Sequence, residues 1–148
     1  MPSATYNTAS EEETVELGRR LAQTLPRGVV LLTGNLGAGK TTLAKGIVSA
    51  FGAVQADDVA SPTFTLIHDY GEVVHIDLYR LETEREVETL GLDEIIENAK
   101  LTLIEWGERF PNIFPEASTI TLRTVSDTGR EFEVQCFDGP HRSARSIK

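Results

Sequence analysis

Apolar residues recur along the chain at two different spacings. Over residues 15–25 and again over 41–51 they recur every three or four positions, which is the spacing of an amphipathic helix. Short aliphatic runs at 29–33, 73–77 and 101–106 are instead typical of buried strands. Strands that alternate with helices in this way predict an α/β protein with a mainly parallel sheet.

Turn and cap residues mark where several of these elements begin and end. Ser10 followed by Glu13 is a capping-box pattern, which predicts that a helix begins here and continues to about Leu25. Residues 1–9 show no comparable pattern, and we expect them to be flexible. Two pairs of strands separated by glycine-containing turns predict antiparallel hairpins: 64–70 with 73–77, and 119–125 with 131–137.

A strongly acidic segment follows the first predicted hairpin. Residues 84–90 and 92–98 predict two short helices joined at Gly91. Between residues 82 and 97 the chain has seven acidic residues and a single base, Arg85. We favour a solvated helix face for this segment, and a docking surface for a basic partner is the alternative.

The charge of the chain is unevenly distributed. The net charge of −9 argues against a surface that coats nucleic acid. The last ten residues hold three bases and no acid, so residues 1–138 carry −12. We expect a single domain over residues 10–137. A basic, disordered tail over residues 138–148 is expected to follow it.

Residues 34–42, Gly-Asn-Leu-Gly-Ala-Gly-Lys-Thr-Thr, match the phosphate-binding pattern G-x-x-x-x-G-K-[ST] between a predicted strand and a predicted helix. Glycines let the backbone N–H groups surround phosphates, and the helix N-terminus adds its positive dipole end. Lys40 has the reach to contact the β- and γ-phosphates, and the hydroxyl of Thr41 is suited to binding Mg²⁺. The other residues of the loop expected to contact a nucleoside triphosphate are Asn35, Leu36, Gly37, Ala38, Gly39 and Thr42.

Two predicted strands end in an acidic residue, Asp77 and Glu105. In proteins with a phosphate-binding loop, carboxylates at the ends of parallel strands bind Mg²⁺ or orient the attacking water. Taken singly, each acid fits a strand end that faces solvent. Because a phosphate-binding loop lies in the same small domain, we interpret Lys40, Asp77 and Glu105 as catalytic residues and Thr41, Asp77 and Glu105 as metal-binding residues.

Two further features have competing interpretations. The segment Ser-Pro-Thr-Phe-Thr-Leu at 61–66 suits a loop that senses the γ-phosphate, and it equally suits a proline turn that leads into a strand. The three histidines have no metal-ligand spacing, and we interpret them as structural or surface residues: His68, His75 and His141.

The length and composition place these motifs in one compact domain. A chain of 148 residues is long enough to bury a core, and its hydrophobic content of 40% is ordinary for a globular protein. The fold class that we predict is a three-layer P-loop NTPase-like α/β domain with antiparallel hairpin additions. One cysteine, no visible secretory signal and no membrane-length apolar run favour the cytoplasm, with no membrane partner.

Four segments together resemble the TsaE (YjeE) family: residues 34–42, 61–66, 75–81 (His-Ile-Asp-Leu-Tyr-Arg-Leu) and 103–106 (Leu-Ile-Glu-Trp). The similarity extends from Ser10 to about Phe137. It implies a bacterial P-loop ATPase that uses Mg²⁺ and supports threonylcarbamoyladenosine formation in tRNA. In that family the protein works with TsaB and TsaD, and hydrolysis of ATP to ADP is thought to reset their complex.

The resemblance also implies roles for individual residues. Lys40 would hold phosphates, Thr41 would bind Mg²⁺, and Asp77 and Glu105 would lie at the Mg²⁺ ion and the catalytic water. Ser10 and Glu11 would lie by the base, and Arg130 by the nucleotide. Asn35 replaces the aspartate that many family members have at this position. We expect little effect, because this position contributes mainly its backbone.

Three functions remain open at this point. The leading hypothesis is a weak ATPase whose turnover depends on partner proteins. A small-molecule kinase is the second, although such kinases usually have an arginine-rich lid, and the segment at 82–97 is acidic. The third is an adaptor that binds ATP as a signal without significant turnover. Direct contact with tRNA by the isolated protein is expected to be weak or absent.

Overall fold

The computed structural model describes residues 3–35, 39–52 and 67–137. In these ranges the chain alternates strands and helices, as the apolar spacing predicts. The elements in chain order are β1 (Ser3–Thr8), α1 (Glu11–Thr24), β2 (Gly28–Thr33), α2 (Lys40–Ser49), β3 (Ile67–Asp69), β4 (Val73–Asp77), α3 (Glu84–Glu88), α4 (Leu92–Asn98), β5 (Leu101–Glu105), a 3₁₀ helix (Gly107–Arg109), β6 (Ser118–Thr124) and β7 (Arg130–Gln135).

The strands form one sheet in the order β1-β7-β6-β2-β5-β4-β3. The four central strands, β6, β2, β5 and β4, are parallel to one another. The outer strands are antiparallel additions: β3 pairs with β4, β7 pairs with β6, and β1 pairs with β7. This arrangement confirms the predicted fold class and both predicted hairpins, except that residues 64–66 of the first hairpin lie outside the described residues.

The register of the parallel strands brings their carboxyl ends together. Glu105 lies opposite Leu32 of β2 on one side and opposite Asp77 of β4 on the other. Thr33, the last residue of β2, lies opposite Thr121 of β6. The ends of β4 and β5 therefore flank the point where the chain leaves β2 for the glycine-rich loop, which is where α/β sheets bind ligands.

Each face of the sheet has its own apolar core, because successive strand residues point to opposite faces. We call the face covered by α1 and α2 the P-loop face, and the face covered by α3, α4 and residues 107–117 the far face. The core of the P-loop face includes Leu21, Val30, Leu32, Leu43, Ile47, Leu103 and Ile120. The core of the far face includes Leu31, Val74, Ile76, Val87, Leu92, Ile104 and Phe110.

Two glycines allow α1 and α2 to pack closely on the P-loop face. A Cβ at Gly18 would lie 2.5 Å from the Leu43 carbonyl oxygen. A Cβ at Gly46 would overlap the Val15 carbonyl oxygen. Since backbone atoms have little room to move, any larger residue at either position would push the two helices apart.

The first helix begins as the sequence predicts. Ser10 has extended backbone angles, and its hydroxyl accepts a hydrogen bond from the Glu13 N–H at 3.1 Å. The Glu13 carboxylate accepts in turn from the Ala9 N–H at 2.7 Å. The three acids of the first turn also lie at the positive end of the helix dipole.

The expectation that residues 1–9 are flexible is wrong for residues 3–8, which form the edge strand β1. This strand pairs antiparallel with β7 over its whole length, from Ser3 opposite Gln135 to Thr8 opposite Arg130. Tyr6 packs against the core, and the hydroxyls of Thr8 and Thr14 lie 2.7 Å apart. The strand takes its hydrogen bonds from the other end of the chain, so no local pattern marks it.

Candidate functional site

The phosphate-binding loop joins β2 to α2, as predicted. Gly39 occupies the position before the helix with φ of 106°, a left-handed conformation that favours glycine. Its carbonyl accepts the hydrogen bond from the Leu43 N–H at 2.9 Å that closes the first turn. Leu36, Gly37 and Ala38, which we also predicted to contact the nucleotide, lie outside the described residues, as does the predicted loop at 61–66.

Lys40 is the first residue of α2, and its side chain folds back over the loop. Its Nζ donates to the Gly34 carbonyl oxygen at 2.8 Å and lies 3.9 Å from the centre of the Trp106 ring. The residue is 4% exposed, and burial lowers the pKa of its amine, an effect opposed by the nearby charges of Glu105, Glu108 and Asp77. A buried cation therefore lies among three acids beside the phosphate-binding loop.

Asp77 and Glu105 end neighbouring strands and lie directly opposite each other. Both are 4% exposed. Alternation along β4 and β5 places them on the P-loop face, the same face as the start of α2. The Asp77 carboxylate accepts a hydrogen bond from the Tyr79 N–H at 2.8 Å, which fixes the chain as it leaves the strand.

Glu105 also has a partner that the sequence analysis did not assign. Its Oε2 lies 2.6 Å from Nε2 of His75, and the His75 side chain is fully buried. We interpreted His75 as a structural or surface residue, and the structure places it next to a predicted catalytic acid. Its position two residues before Asp77 on a strand was the signal that could have suggested a shared face.

An aromatic pair lies beyond the acid-ended strands. Trp106 follows Glu105 with φ of 69°, and its ring centroid lies 5.2 Å from that of Tyr79. Arg109 donates to the Tyr79 carbonyl oxygen at 2.7 Å, so the segments after β4 and β5 are tied together. A Cβ at Gly107 would lie 2.6 Å from Leu31 Cδ2, so a larger residue there would require the Leu31 side chain to shift.

The remaining predicted loop residues surround this centre. Thr41 and Thr42 occupy the first turn of α2 and are half-buried, and Asn35 is exposed. The hydroxyl of Thr41 and the carboxylates of Asp77 and Glu105 are hard oxygen donors, which suit Mg²⁺. Within the described ranges, no three His, Cys, Asp or Glu side chains converge as a metal site. These oxygen donors are of the kind that holds Mg²⁺ together with water and phosphate oxygens.

The residues predicted to lie near the base and the nucleotide occupy the same end of the sheet as the loop. Thr121 of β6 lies opposite the end of β2, and β6 continues beyond it to Thr124. Arg130, the first residue of β7, lies opposite Thr124 on one side and opposite Thr8 of β1 on the other. Ser10 is engaged in capping α1, and Glu11 beside it is exposed. The Arg130 guanidinium donates to carbonyls of its own turn, at 2.9 Å to that of Gly129.

Glu108 is a third acid near Lys40 that the sequence analysis missed. It lies on the 3₁₀ helix after β5 and is half-buried. One of its carboxylate oxygens is buried and has no hydrogen-bond partner within the described residues. No local sequence signal identified it, because its approach to Lys40 depends on the turn at Trp106.

A glycine-rich loop between a parallel strand and a helix, with its lysine facing two acid-ended strands, defines a P-loop nucleotide-binding protein. A family model described as threonylcarbamoyl adenosine biosynthesis protein TsaE matches residues 8–132. The chain belongs to the TsaE family.

Several proteins named tRNA threonylcarbamoyladenosine biosynthesis protein TsaE are similar to this chain. The Nostoc protein is 41% identical, with 88% of this chain and 84% of its own length covered. The Haemophilus influenzae protein is 34% identical, with 90% of each chain covered. The crystal structure of Bacillus subtilis YdiB is 27% identical and superposes with a TM-score of 0.75, covering 93% of this chain and 87% of that one. In the part of the chain that the structure describes, no helix has the length and apolar character needed to cross a bilayer.

Proposed function

We propose that this protein is a Mg²⁺-dependent ATPase that supports threonylcarbamoyladenosine modification of tRNA by hydrolysing ATP to ADP. The observation that carries the proposal is the buried amine of Lys40 beside the Gly34 carbonyl, with Asp77 and Glu105 at the neighbouring strand ends. Such a set supplies a phosphate cation, metal ligands and an acid for the attacking water. Membership of the TsaE family supports the same activity.

The position of each residue in the site suggests its role in ATP hydrolysis. Lys40 would leave the Gly34 carbonyl and the Trp106 ring and bind the β- and γ-phosphates. Thr41 and Asp77 would hold Mg²⁺, which when bound neutralises charge on the phosphate oxygens. Glu105 would accept a hydrogen bond from the attacking water and align it with the γ-phosphorus.

The electrostatics of the site favour binding of nucleotide together with the metal. Lys40 is faced by the carboxylates of Glu105, Glu108 and Asp77, so the residues that approach it carry an excess of negative charge. Phosphate groups would be repelled by these acids. A divalent cation offsets that repulsion, and we therefore expect ATP to bind much more weakly in the absence of Mg²⁺.

We further propose that TsaB and TsaD are the partners of this ATPase and that hydrolysis resets their complex in the cytoplasm, where ATP and tRNA are found. Family membership supports a shared pathway with these proteins. The basic residues of the chain's last ten positions lie outside the described residues, and the described part is predominantly acidic. Contact with tRNA is therefore expected through the partners rather than through this protein alone.

The experiment that tests the proposal is steady-state ATP hydrolysis with Mg²⁺, measured for the protein alone and then with TsaB and TsaD. We expect slow turnover that rises with the partners and is lost in Lys40→Ala. Lys45→Ala is the matched control, because it removes the same side chain from the same helix away from the loop. Equal turnover in wild type and Lys40→Ala would contradict the proposal.

Two other outcomes would identify the competing functions. Tight ATP binding without turnover under either condition would indicate a nucleotide-sensing adaptor. A phosphorylated metabolite formed at the expense of ATP would indicate a kinase.

Tight, salt-dependent tRNA binding by the isolated protein would contradict the expectation that its partners provide the tRNA contact.

A further inference from the structure

His75 is a polar residue in the interior of the sheet. It lies in the middle of β4, between Val74 and Ile76, and its side chain has no exposed surface. A buried imidazole is costly unless its nitrogens form hydrogen bonds. The hydrogen bond to Glu105 therefore offsets part of the cost of burying His75.

The geometry of this contact defines the direction of the hydrogen bond. Nε2 of His75 lies 2.6 Å from Oε2 of Glu105, and a carboxylate only accepts, so Nε2 carries the hydrogen. Within the described residues, Nδ1 of His75 has no partner. Nε2 is therefore the nitrogen through which His75 holds the Glu105 side chain.

The hydrogen bond to His75 constrains the Glu105 carboxylate, which is also attracted to the Lys40 amine. Among the three nearby acids, Glu105 raises the pKa of the Lys40 amine most, yet the described residues show no ion pair between these two side chains. Lys40 instead donates to the Gly34 carbonyl. His75 therefore holds one oxygen of Glu105, Oε2, while the Lys40 amine is held by the Gly34 carbonyl.

We propose that His75 is a positioning residue for ATP hydrolysis, holding the Glu105 carboxylate in the orientation from which it aligns the attacking water. The inference rests on the proposed ATPase function. His75 would act through Glu105 rather than by direct contact with nucleotide or water. It should therefore affect the chemical step much more than the affinity for ATP.

Two substitutions separate positioning from simple packing. His75→Leu replaces the imidazole with an apolar group of similar size and removes the hydrogen bond. We expect kcat to fall roughly 10- to 100-fold, as for residues that orient a metal ligand. His75→Gln places an amide nitrogen near the position of Nε2 and should restore most of kcat. The dissociation constant for ATP should stay close to the wild-type value in both variants, and a thermal melt of each checks folding.

A double-mutant cycle tests whether His75 acts through Glu105. Glu105→Asp keeps a carboxylate but shortens it, so that it no longer reaches His75. In the Glu105→Asp background, His75→Leu should then produce little further loss of kcat. Full additivity of the two losses, or a kcat in His75→Gln as low as in His75→Leu, would overturn the inference.

A measurement on the nucleotide-free protein gives a readout that does not depend on turnover. Long-range ¹H–¹⁵N spectra should show His75 as the Nε2–H tautomer, with a proton signal that shifts in Glu105→Gln. A different tautomer, or a signal unaffected by Glu105→Gln, would also overturn the inference. Absence of ATP hydrolysis in wild type with TsaB and TsaD would instead contradict the proposed function, and the spectra would still decide whether His75 holds Glu105.

Discussion

The two faces of the sheet are built from the same strands, yet they bury different kinds of side chain. On the P-loop face, β4 contributes Val73, His75 and Asp77, and β5 ends in Glu105. On the far face, the intervening residues of β4 are apolar, and short helices cover them. The buried His75 and the two acids at the strand ends share this face, and His75 contacts Glu105, which indicates function rather than packing.

The far face also contains a buried polar residue, but this residue is not hydrogen-bonded to other polar groups in the described part of the chain. Thr102 of β5 is fully buried, and its hydroxyl has no hydrogen-bond partner within the described residues. It lies among apolar residues, away from the loop and Lys40. Substitutions on the P-loop face should therefore alter activity, whereas those on the far face should alter stability alone.

Among the substitutions that compare the two faces, Glu105→Gln should have the largest effect. The amide keeps the size of the side chain but removes the acid, and we expect ATP turnover to fall roughly 100- to 10,000-fold, the range for a positioned acid or base. ATP affinity should change far less, because the acid acts mainly in the transition state. Single-turnover hydrolysis and equilibrium binding measure the two effects separately.

Glu94→Gln is the matched control for this comparison. Glu94 is an exposed glutamate of α4, on the far face, and its substitution should leave turnover unchanged. If Glu94→Gln reduced turnover as much as Glu105→Gln, the division between the two faces would fail.

The sequence predicted the parts of the site that depend on neighbouring residues along the chain. The strand and the helix that flank the glycine-rich loop, and the cap at Ser10, are local patterns, and the structure has each of them. The bond between His75 and Glu105 joins residues 30 positions apart, and it depends on the register between β4 and β5. No local pattern specifies that register.

The same reasoning explains the missed edge strand. Ser3 pairs with Gln135, near the other end of the described chain, so the stabilising partner of β1 is absent from its own neighbourhood. The contact of Lys40 with the Trp106 ring was unpredictable for a similar reason, because it requires the left-handed turn that follows β5.

The next effect concerns the packing that holds α2 against the P-loop face. In Gly46→Ala, the new methyl group would overlap the Val15 carbonyl oxygen of α1. We expect the free energy of unfolding to fall by about 1–3 kcal/mol, the usual cost of overpacking. Urea denaturation of wild type and Gly46→Ala measures this difference in the free energy of unfolding.

Gly71→Ala separates this steric effect from loss of glycine flexibility. Gly71 has φ of 93°, and a Cβ there would meet nothing within 4 Å, so its substitution strains the backbone without a clash. If Gly46→Ala also slows ATP turnover while Gly71→Ala does not, the packing of α1 on α2 positions the loop. Wild-type stability of Gly46→Ala would show that the two helices separate at no cost.

The pH dependence of stability should report the burial of Lys40. Burial lowers the pKa of its amine from the ordinary value of 10.5, so the unfolded chain binds more protons than the folded chain between the lowered pKa and 10.5. The contribution of Lys40 to the free energy of unfolding therefore rises with pH between the lowered pKa and 10.5. Below the lowered pKa the amine is charged in both states, and the cost of burying this charge is fully present.

Lys40→Met should remove this rise in urea titrations carried out across that pH range. Lys45→Met, on the same helix, should retain it. A pH dependence that is identical in wild type and Lys40→Met would show that the amine is not held in a dehydrated site, and the contrast between the two faces would lose its electrostatic basis.

The smallest effect should come from Thr102→Val on the far face. Valine has nearly the same shape as threonine, and it replaces a buried hydroxyl that has no partner within the described residues. Removing an unsatisfied polar group of this kind should leave stability unchanged or raise the free energy of unfolding by about 1 kcal/mol, and ATP turnover should remain at the wild-type value. A loss of turnover in Thr102→Val would mean that the far face contributes to the chemistry, because the substitution alters no residue on the P-loop face.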